Sequence, residues 1–339
     1  MRKTLLYILA FGVLAALAWY FLVRENDNVF SSSEAGFSIR DTGSISKIFL
    51  SNRNGESLTL TRTDTGWVVN DQYPVLPASL HTLFEALYGQ YAIGPVPQAA
   101  HNNVVRALSV SSIKAEIYGK NGQKIRTFFV GNEARDFNNT YMLMEGAKRP
   151  YIVGLRGFDG FLTPRYSPKL SDWRDRTVFN IDPASIRKVE VTYPNAPENS
   201  FTITAAGKDL QISPAVPGAT ADAGRLRDYL QFFQKINAEG YVNGTQDMDS
   251  LVRTAPRYAT IRVTTDKGAH TAELYFMAAT QRTHFDHSLS IDDELYDLER
   301  QYAVLDSKDT LLVQELMFEK ILQPRRIFFP QATPDSLRN

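Results

Sequence analysis

The chain repeats itself, and nothing else limits its architecture as strongly. The segment SISKIFLSNRNGESLTLTRTDTGWVV, from Ser44, and the segment ASIRKVEVTYPNAPENSFTITAAGKDLQI, from Ala184, share one order: Ile-x-x-apolar-x-apolar, a polar turn, an alternating strand, then Gly before a further alternation. Ile45 matches Ile186 and Gly66 matches Gly207. Self-similarity at a long offset means that one supersecondary unit occurs twice, so any architecture must be built twice.

Further features follow in the same order. Leu80, Leu83, Phe84 and Leu87 stand at i, i+3, i+4 and i+7, and Leu226, Tyr229, Leu230 and Phe233 repeat that spacing. Each set predicts an amphipathic helix with one core-facing stripe. Pro77 suits a first helical turn and Asp222 an N-cap. Next come two hairpins, SSIKAEIYGKNGQKIRTFFVG with Asn121-Gly122 at its turn, and RYATIRVTTDKGAHTAELYFM with Lys267-Gly268. Asn-Gly between alternating strands is a strong hairpin signal.

Arg-x-Tyr-x-Val then recurs as Arg149, Tyr151, Val153 and as Arg300, Tyr302, Val304; Arg three before Phe recurs as Arg176, Phe179 and as Arg326, Phe329. Small loop insertions account for an offset that drifts from 141 to 150 across these matches. A closing helix is read in SKDTLLVQELMFEKIL, with a weak counterpart near GFDGFL.

Antiparallel strands with helices gathered on one face make an α+β domain. The predicted organisation is a membrane anchor at 1–23, a polar tether at 24–36, two tandem antiparallel-sheet-plus-helix repeats at 37–182 and 183–330, and a tail at 331–339.

The anchor is the uncharged run Leu5–Val23, 19 positions behind Arg2 and Lys3, with Trp19 and Tyr20 near its far end. About 20 apolar residues span a bilayer core as a helix, and aromatic rings favour its interface. Basic residues ahead of the helix keep that end cytoplasmic, so the bulk of the chain is expected in the periplasm of a bacterium. Cleavage after Ala16-Leu17-Ala18 is the rival reading, but the apolar run outlasts that point. The tether, RENDNVFSSSEAG, is short, charged and Ser-rich.

Composition excludes several functions. Lys and Arg number 37 against 37 Asp and Glu, so no basic surplus argues for nucleic acid. Cysteine is absent, which removes disulfides, thiolate metal sites and a Cys nucleophile. No Gly-x-Ser-x-Gly, Walker or Gly-x-Gly-x-x-Gly motif occurs, so neither a hydrolase elbow nor nucleotide hydrolysis is indicated, and no cofactor is expected.

Gly66-Trp67, Val130-Gly131, Thr140-Tyr141 and Arg174-Asp175-Arg176, within IFLSNRNGESLTLTRTDTGWVVNDQYP, FFVGN, NTYML and LSDWRDRTVF, resemble the bacterial envelope family known as domain of unknown function 4340. The resemblance covers most of residues 45–179 and, more weakly, the second copy. It implies an envelope accessory role, often beside ABC-transporter auxiliary subunits of the gliding-motility type, and carries no catalytic residues over. The second copy has Leu210 where the first has Trp67, and it lacks the Val-Gly-Asn after its hairpin.

Two clusters are candidate sites. In DWRDR, Trp173, Arg174 and Arg176 combine the residue types that dominate interface hot spots. They read either as a partner-binding anchor or, preferably, as an inter-domain clamp in which Arg174 or Arg176 pairs with carbonyls or a carboxylate. In THFDHSLSIDDE, His284, Asp286 and His287 are donors suited to zinc or another divalent ion. Strand alternation places His287 opposite the other two, so a polar surface strand is the plainer reading. Asp292, Asp293 and Glu294 could supply paired carboxylates, although adjacent carboxylates tend to point apart. Trp67 is expected in the core.

The function expected from these readings is a non-catalytic, single-pass accessory or scaffold protein meeting inner-membrane or envelope partners. The alternatives are a carbohydrate-, peptide- or lipid-binding module using the cleft between repeats, and a metal-dependent hydrolase.

Overall fold

The computed structural model describes residues 11–14, 16, 34–135, 137–206, 209–242, 250, 252, 254–281, 283 and 288–330. The chain divides into two compact units at Asp175/Arg176, inside the polar stretch from Ser167 to Pro183. Both are α+β, with antiparallel sheets and few helices.

The first unit holds β1 (Ile45–Ser51), β2 (Ser57–Thr63), β3 (Gly66–Val69), β4 (Tyr73–Pro74), β5 (Gln90–Pro95), β6 (Ile113–Gly119), β7 (Lys124–Glu133), β8 (Thr140–Met144) and β9 (Tyr151–Leu155). These form one sheet in the order β4-β3-β2-β1-β6-β7-β8-β9-β5. Alternation sets the faces: in β6, Ile113, Ala115 and Ile117 point inward while Lys114, Glu116 and Tyr118 do not. Helix α1 (Pro77–Gly89) begins at its proline and buries Leu83, Ala86 and Leu87 against that inner face, with Leu80 and Phe84 at the margin. Gly66 opens β3 at φ 144°, a conformation that side chains avoid. The Trp67 ring that follows packs edge-on to Phe84 at 5.4 Å between centroids.

A second helix, α2 (Gln98–Ser111), lies on the other face, where Val104 and Leu108 pack on Tyr141, Leu143 and Ile152. The helices are therefore not gathered on one side. Only two buried residues, four apart, mark α2, too sparse a stripe for periodicity to reveal.

In the second unit, β10 (Thr177–Phe179) pairs with β14 (Ile236–Asn237). The main sheet runs β13 (Asp209–Ser213), β12 (Phe201–Ala206), β11 (Ile186–Thr192), β16 (Arg257–Thr265), β17 (Gly268–Ala278), β19 (Glu294–Leu305), β20 (Asp309–Gln314), β15 (Gly240–Tyr241), with β18 (Ser288–Ile291) beside β19. Helix α3 (Ala223–Gln231) is capped by Asp222, whose carboxylate accepts from Gly224 N at 2.8 Å and Arg225 N at 3.1 Å. Leu226, Tyr229 and Leu230 point into the core with Phe233.

Three expectations are corrected here. The segment SKDTLLVQELMFEKIL is no continuous helix: it holds β20, followed by one helical turn, α4 (Glu315–Phe318). Asp306 and Ser307 take positive φ and turn the chain back along β19, and the Leu311 and Val313 side chains enter the core. The Arg-x-Tyr-x-Val match joins unlike strands, since β9 lies four strands from β1 whereas β19 lies three from β11. Phe179 belongs to the start of the second unit, facing β14, while Phe329 lies at that unit's end, so these two do not correspond.

The anchor Leu5–Val23 falls almost entirely outside the described residues; Phe11, Gly12, Val13, Leu14 and Ala16 are helical and exposed. No helix among the described residues is long and apolar enough to cross a membrane.

Candidate functional site

The DWRDR cluster divides between the two units. Trp173 is 2% exposed; its Nε1 donates to the Ser167 carbonyl at 2.7 Å, and its own carbonyl accepts from Leu76 N, just ahead of α1, at 2.7 Å. Arg174 is buried, with its guanidinium 3.7 Å from the centroid of the Tyr73 ring and its backbone bridged to Val75. A cation so placed gains from the ring's negative face once water is excluded. Arg176 instead joins the second unit, where Nη1 donates to the Glu239 carbonyl at 2.6 Å and its carbonyl accepts from Ala238 N at 2.8 Å. A ring excluded from solvent presents nothing to a partner. Trp173 and Arg174 therefore belong to the packing of the first unit, and Arg176 is bonded within the second.

His284, Asp286 and His287 lie outside the described residues. Among the described residues, no group of three or more His, Asp and Glu side chains is arranged to hold a metal. Asp292 and Asp293 have φ 51° and 65° and form the two-residue turn between β18 and β19, with Ile291 paired to Glu294. Positive φ at both central residues is the type I′ geometry that Asp tolerates. Glu294 accepts the Tyr296 hydroxyl at 2.7 Å. The acidic triplet is thus built into a hairpin turn and its return strand.

The structure brings together a polar cleft in the second unit that no local motif announces. Phe276 pairs with Gln301 but Met277 pairs with Asp297, so residues 298–300 bulge out of β19. Asp297 holds the bulge: its buried carboxylate accepts from Glu299 N at 2.7 Å, Arg300 N at 3.0 Å and the Thr283 hydroxyl at 2.7 Å. Arg300 Nε and Gln314 Nε2 both donate to Glu239 Oε2 at 3.1 Å. That carboxylate raises the guanidinium's pKa further. Glu239, Asp297 and Arg300 line a cleft of about 560 Å³ with Met277 and Leu312. Glu239 is ion-paired with Arg300 and Asp297 is held by backbone and hydroxyl donors, so the cleft is polar and can hold a ligand by hydrogen bonds. The signal was not local, because Glu239 meets Arg300 only through the sheet.

On the outer face of the first sheet, Glu116 accepts from Lys114 at 2.7 Å and from the Tyr118 hydroxyl at 2.6 Å, and Lys124 stands 3.9 Å away. The donated bonds hold the Glu116 carboxyl below its usual range, and the same carboxylate pushes Tyr118 up to about 12. A second cleft, about 450 Å³, lies beside the β1–β2 loop and the end of α2, with Arg53, Ser111, Phe161 and Lys169 on its walls.

At the other end of that sheet, β5 is the edge strand. Tyr91 and Ile93 are exposed on it, and Tyr88 stands just ahead of it. Arg40 lies 5.0 Å from the Tyr88 ring and Arg156 5.5 Å from the Tyr91 ring. Pro95 ends this strand, and proline within a strand is a mark of an edge. That signal was in the sequence.

No curated protein and no solved structure matches the chain. A family match covers just under half of it, from the residue before α2, across the division at Asp175/Arg176, to the segment before β16. It includes Val130-Gly131, Thr140-Tyr141 and Arg174-Asp175-Arg176, so residues 97–254 match the family described as Domain of unknown function (DUF4340), the one those motifs resemble.

Proposed function

We propose that the chain is a membrane-anchored accessory or scaffold protein of the bacterial envelope, built from two copies of one unit and acting by binding other proteins rather than by catalysis. The duplication is supported by matched details. Asp41 and Asp182 each cap a single turn through a carboxylate, accepting from Ser44 N and Ala184 N, and each accepts on its carbonyl the hydroxyl of Ser44 or Ser185. The strands that follow carry an irregularity at the same place, between Ile45 and Lys47 and between Ile186 and Lys188. Ile39 N donates to Leu87 O at the end of one helix, and Ile181 N to Phe233 O beyond the other. Leu76 N donates to Trp173 O as Asp222 N does to Phe328 O.

The observation that carries the anchored, interacting role is exposed apolar surface. Phe11, Val13 and Leu14 are more than half exposed on the N-terminal helical residues, and Tyr88, Tyr91 and Ile93 cluster on the first unit. Apolar side chains gathered this way mark membrane or protein contacts. Envelope fractionation followed by co-purification from detergent tests the reading. The protein is expected in the inner-membrane fraction, released by deletion of residues 1–23, and recovered with partner subunits. Recovery of the full chain as a soluble monomer would sink it.

A second reading, a small-ligand module, rests on the cleft of Glu239, Asp297 and Arg300. A thermal-shift screen with glycans and peptides is its test, and a flat response ends it. For a metal-dependent role, metal analysis of wild type against a His284→Ala/His287→Ala variant decides, and a metal-free wild type closes that reading.

A further inference from the structure

The two units treat one strand differently. In the second unit, residues 236–241 are flanked on both sides: Ala238 N donates to Arg176 O and the next amide, Glu239 N, donates to Leu312 O, each at 2.8 Å. β10 lies along the first side, with Thr177 opposite Asn237 and Phe179 opposite Ile236. The paired bonds Ile39 N to Leu87 O and Ile181 N to Phe233 O make β5 the counterpart of residues 236–241. Both stretches break at one place, β5 shifting register between Ala92 and Gly94, and β14 and β15 parting between Asn237 and Gly240. In the first unit one side of β5 is covered by β9, but no described strand covers the other. The residues that correspond to β10, 35–37, form no strand there: Phe37 is buried and its carbonyl accepts from the Gln90 side chain at 2.8 Å, and Glu34 ahead of them accepts from Lys148 N at 3.2 Å.

We propose that the open edge of β5 is a docking site for an extended, acidic segment of a partner protein, which adds as a strand where β10 lies in the second unit. This deepens the accessory reading and rests on the duplication. Main-chain pairing supplies affinity in such additions, and alternate side chains supply selectivity. Tyr91 and Ile93 stand two apart, on one face of the strand, and offer exposed apolar surface to every second residue of an incoming strand. Acidic character follows from charge. Arg40 and Arg156 are exposed, lie over tyrosine rings at this edge, and have no carboxylate within ion-pair distance among the described residues.

The test is fluorescence anisotropy on the full chain in detergent, with a labelled peptide of alternating glutamate and valine. Saturable binding is expected, about tenfold weaker for an Arg40→Glu/Arg156→Glu variant that keeps the wild-type melting temperature, and about tenfold weaker when alternate peptide amides are N-methylated. A lysine–valine peptide is expected not to bind. Absence of binding, equal binding of the two peptides, or indifference to N-methylation overturns the assignment. A gain in affinity on Glu25→Lys/Asp27→Lys also overturns it, by showing that the chain's own N-terminal residues cover the edge. Partners retained on co-purification while the titration fails would refute the edge and spare the accessory reading. A positive titration without co-purified partners would do the reverse.

Discussion

Asp222 shows how far a single side chain can be read. As an N-cap it accepts two backbone N–H groups, and those bonds hold its carboxyl below the ordinary aspartate range. A depressed folded pKa adds stability above the unfolded value of 3.8 and loses it as pH falls through the folded one. Asp222→Ala should therefore lower Tm at pH 7, and the gap from wild type should close below about pH 4, as melting curves across that range will show. Gly131 is constrained by space, since a Cβ there would meet Leu108 Cδ2 at 2.6 Å and the Tyr141 carbonyl oxygen at 2.8 Å. Gly131→Ala is expected to cost about 1–3 kcal/mol in denaturant unfolding, by pushing α2 off the sheet. Sequence pattern marked both residues, but only packing explains the second. For Trp173 the residue type was informative and its exposure was not, because burial depends on the Leu76 and Ser167 segments that close over it.

Elements were legible where one period dominated. Helices α1 and α3 follow from four apolar residues at helical spacing, and the β6–β7 hairpin from Asn-Gly between alternating strands. β20 was misread because Leu311, Leu312 and Val313 fit either period, and the strand was settled by pairing with β19. The candidate cleft was the least legible part. Its charged groups come from two segments, one of them bulged, and a bulge has no compositional mark. Two positive-φ aspartates between β18 and β19 give a further expectation. Asp293→Gly should hold or raise Tm, whereas a β-branched Asp293→Val should lower it by a few degrees, about 1 kcal/mol in a chain of this size. Thermal melts of the pair will distinguish turn chemistry from a carboxylate role, which both variants would abolish alike.

Each unit of the molecule has its own core, one centred on Ile48, Phe128 and Tyr166, the other on Val189, Tyr229 and Phe233. Trp173 closes the first and Phe328 the second. Trp173→Ala and Phe328→Ala should each cost about 3–5 kcal/mol. Hydrogen exchange is expected to accelerate in β1–β9 for the first and in β11–β20 for the second; uniform acceleration by either would refute separate cores.

The bond from Leu76 N to Trp173 O also fixes an order of events. The first unit's packing lacks its last large ring until residue 173 has left the ribosome, and the second unit starts only three residues later. Domains fold as units, the N-terminal one first during synthesis, so one core is complete before the strands of the second unit emerge. A chain with two large antiparallel sheets thereby separates in time the strands that could be exchanged in error.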